Sequence, residues 1–595
     1  MSESFSSPSS SPPQTPPNLH QNTVDPSAKW LVQKFGGTSV GKFPAKIATE
    51  VVPNYIDQYK VAIVCSARSG CTKALGTTNL LLRAASEAVR RPNKRDTSGT
   101  PDTSKPGSPA LGPRSRSGSS PRCPSPQPFT SYAELNGHAD SKERVPDFVK
   151  TIYLLRDEHI AAARAAVQNP DILRELEAEI ERDCDWLRHF LFAAKLIDEI
   201  SPRSRDTIIG LGEKLGCKIM TAALLDQGID AEYVSLEDVV PWSEEQESAF
   251  TGTLDQDFYD TLAQVIGERI QQCAPRVPVV TGYFGPVPGS LLHQVGRGYT
   301  DLLAALLAVG VQAAELQIWK EVDGIFTADP RKVPTARLLS IISPEEVAEL
   351  TYYGSEVVHP FSMEQVIQRK IPIRIKNVEN PAGGGTVIHP DPEVDSAEVQ
   401  EGLGTGSVPE PAPLSLLREL SHRPNEREHK RVPTAVTIKE HIIVVNVNSN
   451  RKSVSHGFLA GIFSSLDRFG LVVDLISTSE VHVSMALEDR LSKKMLERLL
   501  NELRKNGSVS IHRDMAILSL VGKQMRNMVG IAGRMFTTLA QGNVNIEMIS
   551  QGASEINISC VIKGRDAVKA LNIIHHNCLQ IKPEGAKGRV GPWLF

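Results

Sequence analysis

The stretch WLVQKFGGTSVGK, residues 30–42, decides how the first two thirds of the chain is read. WLVQKF reads as a buried strand, GG as a turn, and a helical pattern follows. Strand, glycine turn and helix in that order open a sheet whose faces are covered by helices. Gly36 and Gly37 let the backbone approach an anion closely, with amides and a helix N-terminus facing it. Lys34 stands just before the turn, placed to reach a phosphate. The pattern is not GxxxxGK[ST] and not GxGxxG, so it is neither a Walker A loop nor a dinucleotide fingerprint. On chemistry alone, an ordinary strand–helix turn explains these residues as well.

Outward from this stretch the alternation continues. KVAIVCSA (60–67) is a second strand, and CSARSGCT (65–72) brings Ser66 and Thr72 into a small-residue loop. Residues 147–200 are helical by their three-to-four apolar spacing. TIIGLGEKLG (207–216) and the helix after it follow, then VPVVTGYFG (277–285) and DLLAALLAVGVQAAELQIW (301–319). Strands separated by helices imply a mainly parallel sheet. GEKLG places Glu213 at a helix start, where plain dipole complementation is the alternative to a binding role. VGRGYTDLLAALL (295–307) repeats the glycine turn before a helix. Its Arg297 can clamp a carboxylate with two hydrogen bonds, and Asp301 either works with it or caps the helix. WKEVDGIFTADPRKV (319–333) leaves a strand for a charged, Gly/Pro-punctuated loop, which a solvated surface would also explain.

After residue 432 the character changes. HGFLAGIFSSLDRFGLVVDLIS (456–477) aligns without gaps onto VGIAGRMFTTLAQGNVNIEMIS (529–550), an offset of 73. SEVHVS (479–484) then matches SEINIS (554–559) after a two-residue slip. Each copy reads strand–helix–strand–strand–helix, so the C-terminal part is a pair of small α+β units.

Composition bounds the rest. The chain has 595 residues with 65 Lys+Arg against 69 Asp+Glu, a balance that gives no footprint for nucleic acid or an anionic membrane. The longest apolar run, Leu302 to Ala314, is broken by Gln312 and falls short of the ~20 residues a bilayer span needs. Eight cysteines without CxxC or zinc spacing suit a reducing compartment, and no leader pattern opens the chain, so a cytoplasmic protein is expected. Residues 1–27, 91–146 and 391–431 lack apolar periodicity and are expected to be a tail, an insert and a linker. SPRCPSP within the insert suggests phosphorylation.

Taken together, these motifs resemble the aspartokinases. KFGGTSV, CSARSGCTKAL, GEKL, GRGYTDL, WKEVDGIFTADPRKV, ELTYYGSEVVHP, IPIRIKN and the repeat all match in order, from about residue 29 to 580. The resemblance implies an α/β fold: an amino-acid-kinase three-layer α/β/α sandwich over residues 28–390, followed by two ferredoxin-like α+β ACT domains at 432–510 and 511–590. It also implies that one ACT unit is inserted in the other, so that the strand near Thr434–Lys439 pairs with the second unit. The implied reaction is ATP-dependent phosphorylation of the L-aspartate β-carboxylate, the first step towards homoserine, threonine and methionine. Carried over by motif, Lys34 neutralises phosphate and Asp301 orients it. Arg297 clamps the α-carboxylate, Glu213 pairs with the ammonium, and Ser66, Thr72 and Thr300 line the substrate pocket. Gly36, Gly37, Lys320, Glu321, Phe326 and Arg331 fall on the nucleotide side, with Mg2+ carried by the ATP. His456, Asp474, Thr478, Ser479 and Glu480 match effector positions, with L-threonine expected and lysine the alternative, and a homo-oligomer is implied.

Two departures from many bacterial members stand out. GRGGSD reads GRGYTD here, so Tyr299 replaces a glycine. A lysine of FGAKVLHP is Glu356, which leaves Lys320 or Arg331 to compensate. Rival readings are a kinase of the same fold acting on glutamate, acetylglutamate or UMP, which the ACT pair opposes, and a catalytically dead sensor, which Lys34, Arg297 and Asp301 oppose. A fusion to homoserine dehydrogenase is not expected, since no nicotinamide-binding pattern follows the repeat.

Overall fold

The computed structural model describes residues 19–70, 72–90, 145–240, 254–287, 289–353, 358–389, 432–449, 457–489, 491–523, 525, 528–552 and 556–581. Glu356, His456, nearly all of the 91–146 insert and the whole 391–431 linker lie outside them, as do residues 1–18 of the expected tail.

Eight strands form the first sheet, in the order β3-β4-β2-β1-β5-β7-β8-β6. They are β1 (Trp30–Phe35), β2 (Lys60–Cys65), β3 (Ala231–Val234), β4 (Val277–Thr281), β5 (Glu315–Lys320), β6 (Ile341–Ile342), β7 (Ile373–Asn377) and β8 (Thr386–Ile388). All pairings are parallel except β7 with β8. β1 is central and buried along all six residues, because its two faces feed two cores. Trp30 and Val32 pack with the helices Gln256–Gln271, Tyr299–Gly310 and Pro360–Gln368. Leu31 and Phe35 pack with Thr77–Ala88, Asp147–Ala166, Pro170–Ile197 and much of Pro202–Asp226. Alternation along the strand therefore produces three layers.

Two helix readings need correction. The 147–200 run divides at Val167–Asn169, where Asn169 caps a new helix by accepting from the Asp171 and Ile172 amides. TIIGLGEKLG belongs wholly to the helix Pro202–Asp226, which starts at the Ser201 cap, so Glu213 is mid-helix. Dipole complementation at a helix start thus does not account for Glu213. Its neighbours Ile208, Ile209, Leu211 and Leu215 are buried on several sides because the helix is enclosed, which removes the amphipathic stripe a surface helix displays.

The second sheet has six antiparallel strands in the order β10-β11-β9-β12-β14-β13. Its long strands are β9 (Ala435–Ser449) and β12 (Gly507–Val521), with β10 (Leu475–Thr478), β11 (His482–Glu488), β13 (Ile546–Gln551) and β14 (Asn557–Lys563). β9 serves both repeats: its second half pairs with β11, and Ala435–Lys439 pairs with Ile517–Val521 of the second copy. The repeat is visible in the backbone. Positive φ recurs at His441 (60°) and Asp514 (54°), Gly457 (80°) and Gly530 (86°), and Gly470 (63°) and Asn543 (51°), each pair 73 residues apart. Gly457 and Gly530 open the helices Phe458–Arg468 and Ile531–Gln541 in the left-handed conformation that glycine adopts freely.

Two segments of the first unit enter the second. Ala328 and Val333, from the loop after β5, are buried in the core of the second repeat. Tyr353, just after the helix Pro344–Tyr352, lies among Ile442, Val444, Leu475, Met515 and Met548 on the opposite face of the sheet. Glu346 in that helix accepts from Thr434 Oγ1 at 2.5 Å and from the Lys523 amide at 2.7 Å.

Candidate active site

Lys34 is the fifth residue of the central strand, in register with Val64 on one side and Ile318 on the other. Its side chain lies almost wholly inside, with Nζ 2.7 Å from Asp301 Oδ1. Asp301 is in the first turn of Tyr299–Gly310, whose N-cap Gly298 receives no side-chain capping bond, so its carboxylate serves the lysine and not the helix end. Burial pushes the Asp301 carboxyl up, but Lys34, with Lys320 and His359 adding to the field, outweighs it and holds the group below its ordinary value. The ion pair is therefore intact at neutral pH.

The glycine turn is shaped by its neighbour. A Cβ on Gly37 would stand 2.4 Å from the Ala67 carbonyl oxygen, and the Ser69 amide donates to Gly37 O at 2.8 Å. The loop 66–70 thus seals one side of the turn. A Cβ on Gly36 would meet nothing within 4 Å, so the other side is open. Ser39 Oγ donates to Glu321 Oε1 at 2.8 Å, which ties the turn to the end of β5.

Beside this cation lies an enclosed carboxyl. Glu213 Oε1 accepts from Thr300 Oγ1 at 2.5 Å and Oε2 from the Tyr283 amide at 2.9 Å, with Gly282 N and the Tyr299 hydroxyl also donating. Burial pushes the Glu213 carboxyl up to about 7, against those donors. Ser66 Oγ is 3.2 Å from Thr300 Oγ1, which completes a Ser66–Thr300–Glu213 chain. One helix start therefore hands Tyr299 and Thr300 to the glutamate and Asp301 to the lysine.

The acidic helix face extends further. Asp206, two turns before Glu213, is 2% exposed and accepts from Ser290 Oγ (3.0 Å), Leu291 N (2.6 Å) and Leu292 N (3.4 Å). Burial raises its carboxyl, opposed by these donors. Ser290 has φ 97°, a conformation that costs a non-glycine residue about 1–3 kcal/mol. Between the two acids, Gly210 admits the Tyr283 ring, since a Cβ there would be 2.5 Å from Tyr283 Cδ1.

The remaining sequence-derived positions divide. Arg297 lies in the short turn Gly296–Gly298, whose Gly298 packs against the His359 ring, but the Arg297 side chain is outside what the structure describes. Lys320 ends β5 beside the Asp301 field. Thr72 is exposed, and Phe326 is half-buried, bridging to Leu338. Arg331 is exposed and pairs with its own neighbour Asp329 at 3.0 Å. Thr478, Ser479 and Glu480 are exposed on and just after β10. Asp474 is enclosed and holds Lys439 Nζ at 2.7 Å, and Lys439 lies 5.6 Å from the centre of the Tyr352 ring. Sequence reasoning passed over Asp206, Tyr283 and His359. An Asp and a Glu seven residues apart, Asp206 and Glu213, would have signalled one helix face had the helix been read through.

Residues 29–377 match the amino acid kinase family, and residues 518–577 an ACT domain. The aspartokinase of Schizosaccharomyces pombe is 48% identical over 580 residues, which cover 96% of this chain and 98% of that protein. The chain belongs to the aspartokinase family. Solved aspartokinase structures share the fold. Escherichia coli aspartokinase III in complex with aspartate and ADP (R-state) has a TM-score of 0.60 at 23% identity, covering 92% of this chain and 99% of that one. The same enzyme in complex with lysine and aspartate (T-state) reaches 0.63 at 22% identity, again covering 92% and 99%. Among the described residues of this aspartokinase, no helix is long and apolar enough to cross a membrane.

Proposed function

We propose that the chain transfers the γ-phosphoryl group of MgATP to the β-carboxylate of L-aspartate, giving 4-phospho-L-aspartate and ADP. The observation that carries this reading is the Lys34–Asp301 pair at a glycine turn with one open side, next to the enclosed Ser66–Thr300–Glu213 chain. A carboxylate of pKa near 4 is already ionised at neutral pH, so it attacks phosphorus without a general base. The new O–P bond forms as the bond to the β-phosphate oxygen breaks, and catalysis rests on charge neutralisation and in-line placement. An ammonium has three donors, so Lys34 with one on Asp301 keeps two for phosphoryl oxygens. The Gly36 and Gly37 amides add fixed dipoles to the same charge. An incoming ammonium favours the ionised form of Glu213, and Arg297 takes the α-carboxylate. Ser66, Thr72 and Thr300 line the acceptor pocket, and Lys320, Glu321, Phe326 and Arg331 stand on the nucleotide side. Mg2+ enters with the nucleotide.

The same reading assigns residues 28–390 to catalysis and the repeat to control in a cytoplasmic homo-oligomer. An amino acid, threonine first and lysine second, binds at His456, Asp474, Thr478, Ser479 and Glu480 and shifts the population of kinase states.

Hydroxylamine trapping of the acyl phosphate, with aspartate and glutamate offered in parallel, tests the assignment. Hydroxamate from aspartate alone is expected, with Lys34→Ala lowering kcat by about 10²–10³-fold. Hydroxamate from neither substrate, in a folded preparation that binds nucleotide, would leave an amino-acid sensor on a kinase scaffold.

A further inference from the structure

We infer that Asp206 is a positioning residue for aspartate recognition, acting through the backbone of residues 290–300, and this inference rests on the aspartokinase reading above. Among the described residues of the first unit, positive φ gathers most densely between Gly282 and Gly298. Gly285, Gly289, Ser290 and Gly296 all have positive φ, at 106°, 74°, 97° and 78°. Ser290 is the one among them that carries a side chain, and nothing intrinsic to serine favours that conformation. The compensation comes from outside the loop. Ser290 Oγ donates to Asp206 Oδ1 at 3.0 Å while accepting from the His293 amide, and the Leu291 amide donates to Asp206 Oδ2 at 2.6 Å. These bonds hold the start of the short helix Leu291–Gln294, which runs directly into the Gly296–Gly298 turn and then Thr300 and Asp301.

A carboxylate suits this task better than a neutral cap. It offers acceptor positions on both oxygens, so a hydroxyl and two successive amides are met at once. An asparagine in the same place turns an NH2 group toward one of those donors. Burying a charge at 2% exposure is costly unless it is fully hydrogen-bonded, so its presence here marks a geometry that the fold holds tightly.

The position of Asp206 on its helix explains what it positions. Asp206 and Glu213 are two turns apart on Pro202–Asp226, and the loop between their grips returns to the same helix at both ends. Asp206 holds residues 290–292, and Glu213 holds Tyr283 N and Thr300 Oγ1. Thr207 Oγ1 adds a contact to the Tyr283 hydroxyl at 3.2 Å. One rigid helix thus sets the backbone that carries Arg297 and Thr300, whereas Lys34 and the Gly36–Gly37 turn hang on β1 and the 66–70 loop. Loosening Asp206 therefore disturbs the acceptor side first and reaches the nucleotide side only through the helix start, where Asp301 meets a lysine whose own backbone is fixed by β1.

Asp206→Asn and Ser290→Ala are compared with the wild-type enzyme in steady-state assays that vary aspartate and MgATP separately, with thermal melts as the control for folding. For Asp206→Asn the expected result is a KM for aspartate raised about tenfold or more, a KM for ATP within about twofold, and a kcat that falls less than the aspartate KM rises. Ser290→Ala removes the hydroxyl but keeps the backbone demand, and is expected to raise the aspartate KM in the same sense by a smaller factor. Equal losses in both KM values, or folded variants with an unchanged aspartate KM, would overturn the assignment. If Asp206→Asn does not fold, Ser290→Ala decides alone. Wild-type enzyme that turns over no aspartate would instead sink the aspartokinase reading, and this inference with it.

Discussion

The two ACT repeats share a backbone and differ in what they hold. Gly457 and Gly530, His441 and Asp514, and Gly470 and Asn543 take the same left-handed conformations at equivalent places. Yet the core of the second copy contains Ala328 and Val333 from the loop after β5, while that of the first contains, among the described residues, none from the catalytic half. The helix face of the first copy leaves Leu459 and Phe463 exposed. At β10 the first copy encloses Asp474 on Lys439, and the equivalent residue in the second, Glu547, is exposed and bonded to Asn545. Duplication produced two similar units: both touch the Tyr352–Tyr353 segment, but the second also takes a loop of the catalytic half into its helix-side core, whereas the first leaves part of its helix face exposed. Coupling between an effector and the kinase needs both a free site and a fixed attachment, and the pair divides these roles.

The largest effect that tests this division comes from a matched pair of core truncations. Leu466 and Leu539 are repeat equivalents, each at most 1% exposed. Each Leu→Ala change is expected to cost about 2–5 kcal/mol. Leu539→Ala should also lower kinase turnover, because the core it damages seats the 325–337 loop. Leu466→Ala should leave turnover close to wild type at the assay temperature and weaken only the response to effector. Chemical denaturation alongside activity measures both, and equal losses of turnover would erase the distinction.

A smaller effect is expected at β10. Asp474→Asn removes the nearer charge partner of a half-buried lysine that sits against Tyr352 in the helix Pro344–Tyr352, leaving Glu488 at 3.9 Å. The half-inhibitory concentration of the effector is expected to rise about tenfold, worth roughly 1.4 kcal/mol. Glu547→Gln, on the exposed equivalent, should change it by less than about twofold. Titration with threonine and with lysine in the coupled assay decides, and matching shifts in the two variants would make the copies equivalent sites.

How far the sequence carried the reading follows from range. Strands such as KVAIVCSA and WLVQKF, buried on both faces, announce themselves as apolar runs, and the repeat is legible because it is duplicated. The sharing of β9 between copies came from the family resemblance and not from local pattern, since it depends on irregularities near His441 and Asp514 that shift the register of β9 on β12 midway along both strands. TIIGLGEKLG misled because an enclosed helix loses its stripe. The same error hid Asp206, whose partners lie about 85 residues away in a loop of unusual dihedrals. Lys34 and Asp301 were legible as motifs, but their 2.7 Å pairing is a product of β1 and the helix start meeting.

The smallest expected effect sharpens the comparison through a single titratable group. His575, on the last helix of the second copy, is fully buried with Nε2 2.9 Å from Thr327 Oγ1 and Nδ1 3.4 Å from Thr335 Oγ1. With the two-residue slip, its equivalent in the first copy is Leu500, which has no proton to exchange. Burial lowers the His575 imidazole below its ordinary value of 6.5, and the nearby His576 and Arg337 push the same way. A base with a depressed folded pKa adds stability that is fully present above its unfolded pKa and is lost as pH falls through the folded one. The grip of the second copy on the Thr327–Thr335 segment should therefore hold from neutral pH down to about 6.5 and weaken below it. Melting temperatures between pH 7.5 and 5 should fall on the acid side, by less than either leucine truncation produces. His575→Asn keeps a polar contact to Thr327 without the titration, so its curve should be flatter over the same range. A wild-type curve that matches the variant would show that the attachment of the second copy rests on Ala328 and Val333, with the histidine contributing no pH dependence.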